Sequence, residues 1–281
     1  MYEVIFLWIL ALVYIVFAVI QDIKTREIAN WLSFSLIIFA LGFRFFYSLF
    51  GGDNFLFFYN GLIGLGVFFA LGNLLYYGKV FAGGDAKLMI ALGTILPYFS
   101  ILSKNFQVFF DFLLVFLSVG FIYILTSSVI LCARNFKSFK REFLKQLNKN
   151  KKLMIGILFF SIILSVFGFI EKMFFALGIL MFFTSYLYLY SKAIDESCMI
   201  KKIETKDLRE GDWLYSNLKI GRKVIKAKWE GLNMKEIKEI RKKYKEIKIR
   251  QGVAFSPVFL ISLVIFILFN VLGLRLWDSF W

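Results

Sequence analysis

The chain has 281 residues, of which 60% are hydrophobic, 20% aromatic and 19% charged, with a mean hydropathy of +0.74. This composition excludes disorder, collagen and a soluble single-core domain, and makes the bilayer the main solvent. With no His and only Cys132 and Cys198, widely separated, the chain has no His-dependent triad, zinc or haem site and no disulfide framework.

A spanning helix needs about 20 mostly apolar residues. Eight stretches qualify or come close: 3–20, 31–50, 55–77, 86–99, 107–132, 153–170, 173–191 and 254–273. The fourth is short. The first lacks a basic start and a small-residue cleavage site, so it reads as a span and not as a signal peptide.

The net charge of +15 is concentrated in a few loops. Residues 133–152 hold Arg134, Lys137, Lys140, Arg141, Lys145, Lys149, Lys151 and Lys152 against Glu142, and 192–252 is also basic. Loops 51–54, 100–106 and 171–172 have little or no net positive charge. With eight spans the basic loops share one side, which is expected to be the cytoplasm, with both termini outside. This pattern favours a multi-pass cell-membrane protein over a nucleic-acid binder; the basic run at 134–152 also suits anionic lipid.

The expected fold is all-α and polytopic, about eight transmembrane helices, with a small α+β cytoplasmic domain before the last helix. Its parts are a membrane core at 1–132, a basic loop plus two spans at 133–192, the α+β domain at 193–253, and the last span with the C-terminus at 254–281. Within 193–253, the loose alternation over Lys219–Trp229 suggests short strands. Asn233 with Glu236 predicts a helix N-cap, followed by a stripe of Ile237, Ile240 and Tyr244, and a final strand covers Glu246–Arg250.

The charge parity puts Asp22 and Asp85 at one membrane face. Charged groups beside hydrocarbon are functional candidates. Asp22 alone also reads as an interfacial residue beside Lys24 and Arg26, and Asp85 alone as a helix N-cap. Together, without His, they are the minimum for aspartyl hydrolysis. Like carboxylates brought close share one proton, so one acts as base toward water and the other as acid toward the scissile carbonyl. Gly83 and Gly84 permit close backbone approach beside Asp85, and Lys87 either orients Asp85, contacts substrate or snorkels. Arg44 and Asp111 either pair within the bundle or snorkel to an interface.

Asp22-Ile-Lys-Thr-Arg-Glu-Ile-Ala-Asn30 resembles the first aspartate motif of type IV prepilin peptidases and archaeal preflagellin peptidases, and Ala82-Gly-Gly-Asp-Ala-Lys87 resembles their second, the GxGD motif. The resemblance implies a membrane aspartic endopeptidase that removes the short basic leader of pilin-like or archaellin precursors at the cytoplasmic face. It gives Asp22 and Asp85 as catalytic, and Gly83 and Gly84 as loop-shaping. Cofactor and metal are not expected. Two positions depart from the family pattern: Ala29 stands where Pro is frequent, and Ala82 where the first Gly of the second motif is usual. Segments 231–236 and 252–257 resemble the end of the preflagellin-peptidase-like branch, and 133–192 resembles an insertion into the family plan. Bacterial relatives that also methylate carry paired CxxC motifs; their absence here predicts proteolysis without methylation. The rivals are a presenilin-like or signal-peptide-peptidase-like intramembrane protease, whose first motif is Tyr-Asp where this chain has Gln21-Asp22, and an ion-coupled transporter, which usually places its charges at the midplane of repeated, interrupted helices. Whether archaellin or pilin is the precursor is left open by these residues.

Overall fold

The computed structural model describes residues 2–51, 55–99, 101–221 and 223–274. The helices are α1 (Tyr2–Thr25), α2 (Asn30–Phe50), α3 (Leu56–Tyr77), α4 (Gly83–Gly93), α5 (Leu102–Arg134), α6 (Phe136–Lys149), α7 (Lys151–Phe167), α8 (Lys172–Ser197), α9 (Met234–Lys243) and α10 (Ser256–Val271). The strands are β1 (Ile200–Glu204), β2 (Trp213–Leu214), β3 (Leu218–Ile220), β4 (Lys223–Ile225) and β5 (Glu246–Arg250). The chain divides into two units, Met1–Ile124 with Ala254–Trp281, and Leu125–Val253.

Among the described residues, five helices are long and apolar enough to cross a membrane: α1, α2, α3, α5 and α8. The pair α6 and α7 passes the same test together but is bent by 76°. The structure therefore does not give eight full-length spans. Of the expected crossings, 86–99 is helical only to Gly93, 153–170 becomes the 17-residue α7, and 254–273 becomes the 16-residue α10. The expected outer loop at 51–54 lies, apart from Gly51, outside the described residues, as does Ser100 of the loop at 100–106.

In the first unit, helical periodicity sorts each helix into a buried stripe and an apolar outer face. In α1 the stripe is Leu7, Ala11, Ile15, Ala18 and Asp22, while Phe6, Ile9, Val13, Phe17 and Ile20 are exposed, as lipid-facing residues are. Asp22 thus continues a line of core residues. In α2 the stripe is Leu32, Leu36, Ala40, Arg44 and Ser48. In α10 it begins at Ser256 and runs through Phe259, Leu263 and Phe266.

The end of α4 has a local cause. Pro97 has no N–H for the carbonyl four residues back, and it disfavours helical geometry at Leu96. The helix stops at Gly93, and 94–99 continues without regular helix. Non-helical backbone at membrane depth must find its hydrogen bonds within the protein. Arg44, fully buried, supplies the donors for three of its carbonyls: Nε donates to Thr94 O at 2.7 Å and Nη2 to Ile95 O at 3.1 Å and also to Pro97 O, while Nη1 donates to Phe57 O at 2.8 Å. Asn60 donates to Phe99 O, and the Asn105 side chain accepts from the Tyr98 and Phe99 amides. Arg44 therefore neither pairs with Asp111 nor snorkels; its donors go to backbone carbonyls of the α3 start and of the chain after α4. Close contact of α3 with α4 depends on glycine, because a Cβ on Gly64 would stand 2.1 Å from Gly93 O.

The second unit holds α6, α7, α8 and a small strand-containing region. The sheet order is β1-β5-β2, all antiparallel, and β3 pairs with β4 in a separate hairpin. Inward residues of the strands and of α9 (Leu214, Ile225, Ile237, Ile240, Ile247 and Ile249 among them) make one core. The predicted cap of α9 is present: Asn233 Oδ1 accepts from the Glu236 amide at 2.9 Å and Glu236 Oε2 accepts from the Asn233 amide at 3.0 Å. The expected strand at 246–250 is β5, and the expected strands within 219–229 are β3 and β4, starting one residue earlier.

Candidate active site

Asp22 sits in the last turn of α1. That helix ends at Thr25 because Arg26 adopts a left-handed conformation, φ 59°, and its amide bonds Asp22 O at 2.8 Å. The chain then runs through Ile28 and Ala29 into α2. Ala29 has φ −62° and ψ 134°, the backbone that proline would adopt. Its N–H, which proline would lack, donates to Gln21 Oε1 at 3.0 Å. Where the motif it resembles frequently has proline, this chain has an alanine in the same conformation, tied down by a neighbouring side chain.

Asp85 is the third residue of α4. The N-cap is Ala82, so Asp85 is not the cap but lies in the first helical turn. Asp22 and Asp85 are both buried, each 8% exposed.

Two further contacts join the motifs. A Cβ on Gly84 would lie 3.1 Å from Ile28 Cβ, so the glycine lets the start of α4 press against the α1–α2 connection. Lys87 Nζ donates to Asn30 Oδ1 at 2.6 Å, joining α4 to the first residue of α2. Gly83 has more room, its nearest neighbour being a Tyr76 ring carbon at 3.8 Å. Both glycines are helical and neither has positive φ, so their contribution is space and not an unusual turn.

A third element enters from the far end of the sequence. The Ser256 backbone N–H, at the start of α10, donates to Asp22 Oδ2 at 3.2 Å in a buried setting. Asp22 lies at the negative end of the α1 dipole, and the positive end of α10 opposes it there. Aromatic contacts hold that helix in place: Phe81, just before α4, meets Phe255 and Phe259 of the α10 start and Phe116 of α5 at 5.8–6.0 Å. Sequence reading missed Ser256. Its Ser-Pro start before an apolar run marks a helix N-terminus, but nothing local says which side chain that terminus meets.

Among the described residues no three or more Cys, Asp or Glu side chains gather as a metal ion would require. The site offers instead two carboxyls, three backbone elements and an amine held by an amide, the equipment of acid–base chemistry. Comparison with known families accounts for the segment that carries both motifs. Residues 7–132 match the type IV leader peptidase family. The leader peptidase segment runs from the first turns of α1 to near the end of α5, and includes Asp22, Asn30, Gly84, Asp85 and Lys87; Ser256 lies outside it. Comparison with curated proteins and with solved structures yields no match.

Proposed function

We propose that the protein is a membrane aspartic endopeptidase that removes the short basic leader of archaellin or type IV pilin-like precursors at the cytoplasmic membrane face, with Asp22 and Asp85 as its catalytic pair. The observation that carries this reading is that the two motif aspartates, far apart in sequence, are both buried, and that contacts of Gly84 with Ile28 and of Lys87 with Asn30 join the segments that hold them. The leader peptidase match supports the reaction class.

The chemistry follows from two carboxyls sharing one proton. The ionised carboxylate takes a proton from water as the water oxygen bonds the scissile carbonyl carbon, and the protonated partner gives its proton to the carbonyl oxygen. In the resulting diol the C–N bond breaks. The amine leaves with the proton the first carboxyl had taken, one hydroxyl returns its proton to the second, and both aspartates regain their starting states. Lys87 and Asn30 brace the two motifs, Gly84 lets the α4 start meet Ile28, and Gly83 leaves room beside it for a substrate backbone. No methyl transfer is part of this function.

Orientation belongs to the same proposal. In it, α4 completed by 94–99, α7 and α10 add to the five long spans, giving eight crossings, with the basic 133–152 and 193–253 segments in the cytoplasm and both termini outside. Membranes containing the protein, incubated with archaellin-type and pilin-type precursors, test the function by mass spectrometry at the new N-terminus. The expected product is one unmethylated mature chain. Intact precursors of both types would contradict the reading.

A further inference from the structure

The α7–α8 hairpin of the second unit is tight at one end and open at the other. Near its turn a Cβ on Gly178 would lie 2.4 Å from Ser165 Oγ and 2.8 Å from Ser161 O, so the two helices touch there. Toward the other end they part and leave a groove of about 430 Å³. Asn150 and Tyr188 stand at its mouth, and Leu153, Met154, Ile157 and Met181 line its depth. From Asn150 to Ile157 it follows the helix axes for about 10 Å. Midway, the hydroxyls of Thr184 and Ser185 donate to the carbonyls of Leu180 and Phe182 in their own helix, so they are already satisfied as donors.

Cations collect at the mouth. Lys149, Lys151 and Lys152 flank Asn150 and are exposed, and Lys192 Nζ lies 5.6 Å from the centre of the Tyr188 ring. Among the described residues none of these four lysines is paired with a carboxylate. At the closed end Glu171 and Lys172 cancel. The α6 helix leaves at the mouth, bent by 76° from α7, and so does not extend the α7 axis past the groove.

We infer that this groove binds an anionic phospholipid, with one acyl chain between α7 and α8 and the phosphodiester held by Lys149, Lys151, Lys152 and Lys192. The order of the chemistry matches such a molecule: cations, then an aromatic and an amide, then hydrocarbon, along the direction in which a lipid of the bilayer stands. An apolar groove left empty loses the contacts of its walls, and a bilayer chain restores them. Ammonium groups without carboxylate partners attract an anionic headgroup and do nothing for a zwitterionic one of zero net charge. A precursor with a basic leader meets like charge at this mouth, so charge selects the lipid over the substrate. The site lies beyond the leader peptidase segment, which ends at residue 132, and does not depend on the aspartyl reading.

The full-length protein in detergent is titrated with phosphatidylglycerol or with phosphatidylcholine of the same chains, and bound lipid is counted by native mass spectrometry. We expect phosphatidylglycerol to bind at least about tenfold more tightly. The Lys149→Gln, Lys151→Gln, Lys152→Gln triple variant should lose that preference, while Lys137→Gln, Lys140→Gln, Arg141→Gln, which removes the same charge about 12 Å or more away along α6, should keep it. Thr184→Phe, which fills the groove, should weaken both lipids. Equal binding of the two lipids by the wild type, or equal losses in the two triple variants, would overturn the inference. So would wild-type affinity in Thr184→Phe, or displacement of the lipid by millimolar inorganic phosphate, because either would leave an anion site without a chain in the groove.

Discussion

Arg44 in the first unit and Arg241 in the second use their guanidinium groups in the same way. Arg44 donates to the carbonyls of Phe57, Thr94, Ile95 and Pro97. Arg241 donates to those of Thr205, Lys206 and Leu208, which flank and include a short 3₁₀ turn. In both cases an arginine fork pins a stretch of irregular backbone. The surroundings differ: Arg44 is fully buried among apolar helices, whereas Arg241 is exposed. Water can replace Arg241 at the exposed Lys206 carbonyl. At Arg44 nothing can, so each carbonyl left alone there bears its full desolvation cost. The charged groups of the second unit follow the same rule. Lys223–Glu239 is a solvent-exposed ion pair of small individual worth, while Lys228–Glu236 and the forked Arg250 with Asp195 and Glu196 are partly shielded.

The comparison breaks most visibly at Arg44. Arg44→Leu leaves the carbonyls of Thr94, Ile95 and Pro97, which lie outside regular helix, without donors, at about 1–3 kcal/mol each. We expect folded protein to be lost from membrane extracts, or its thermal midpoint in detergent to collapse. A melting curve close to wild type would show that water reaches the end of α4, and the contrast between the units would fall.

The next effect concerns the junction of the two motifs. Gly84→Val places a branched side chain against Ile28 in contact already close for a single Cβ. Overpacking of this kind costs about 1–3 kcal/mol. The variant is expected to insert and fold but to cleave leader at least about tenfold more slowly. Unchanged cleavage would mean that the α4 start need not touch the α1–α2 connection. Arg241→Leu should have the smallest effect, about 1 kcal/mol on the second unit, with leader cleavage at the wild-type rate. Hydrogen exchange of the α9 amides measures it, and a loss as large as that of Arg44→Leu would erase the distinction.

What could be read from the sequence follows the range of the forces involved. Asn233 and Glu236 make a cap three residues long, and Glu246–Arg250 alternates over five, so both are visible locally. The aspartate motifs are visible because their chemistry is concentrated in a few neighbouring residues. Asp22 also continues the 7, 11, 15, 18 stripe of α1, which already points it inward. The early end of α4 was written in Pro97, but hydropathy carries the apolar run on to Phe99. The work of Arg44 was hidden, since its partners lie thirteen to fifty-three residues away and are carbonyls, which every residue has. Ser256 was hidden in the same way, across 234 positions from Asp22. Bonds from a side chain to remote backbone leave no compositional trace.

The central claim, that Asp22 and Asp85 act as one unit, is tested most directly by leader cleavage in Asp22→Asn, Asp85→Asn and the double variant, each quantified at equal membrane abundance. Groups that share a proton fail together, so each single variant should abolish cleavage and the double should be no worse than either. Substantial cleavage by either single variant, or a double variant far slower than both, would contradict it.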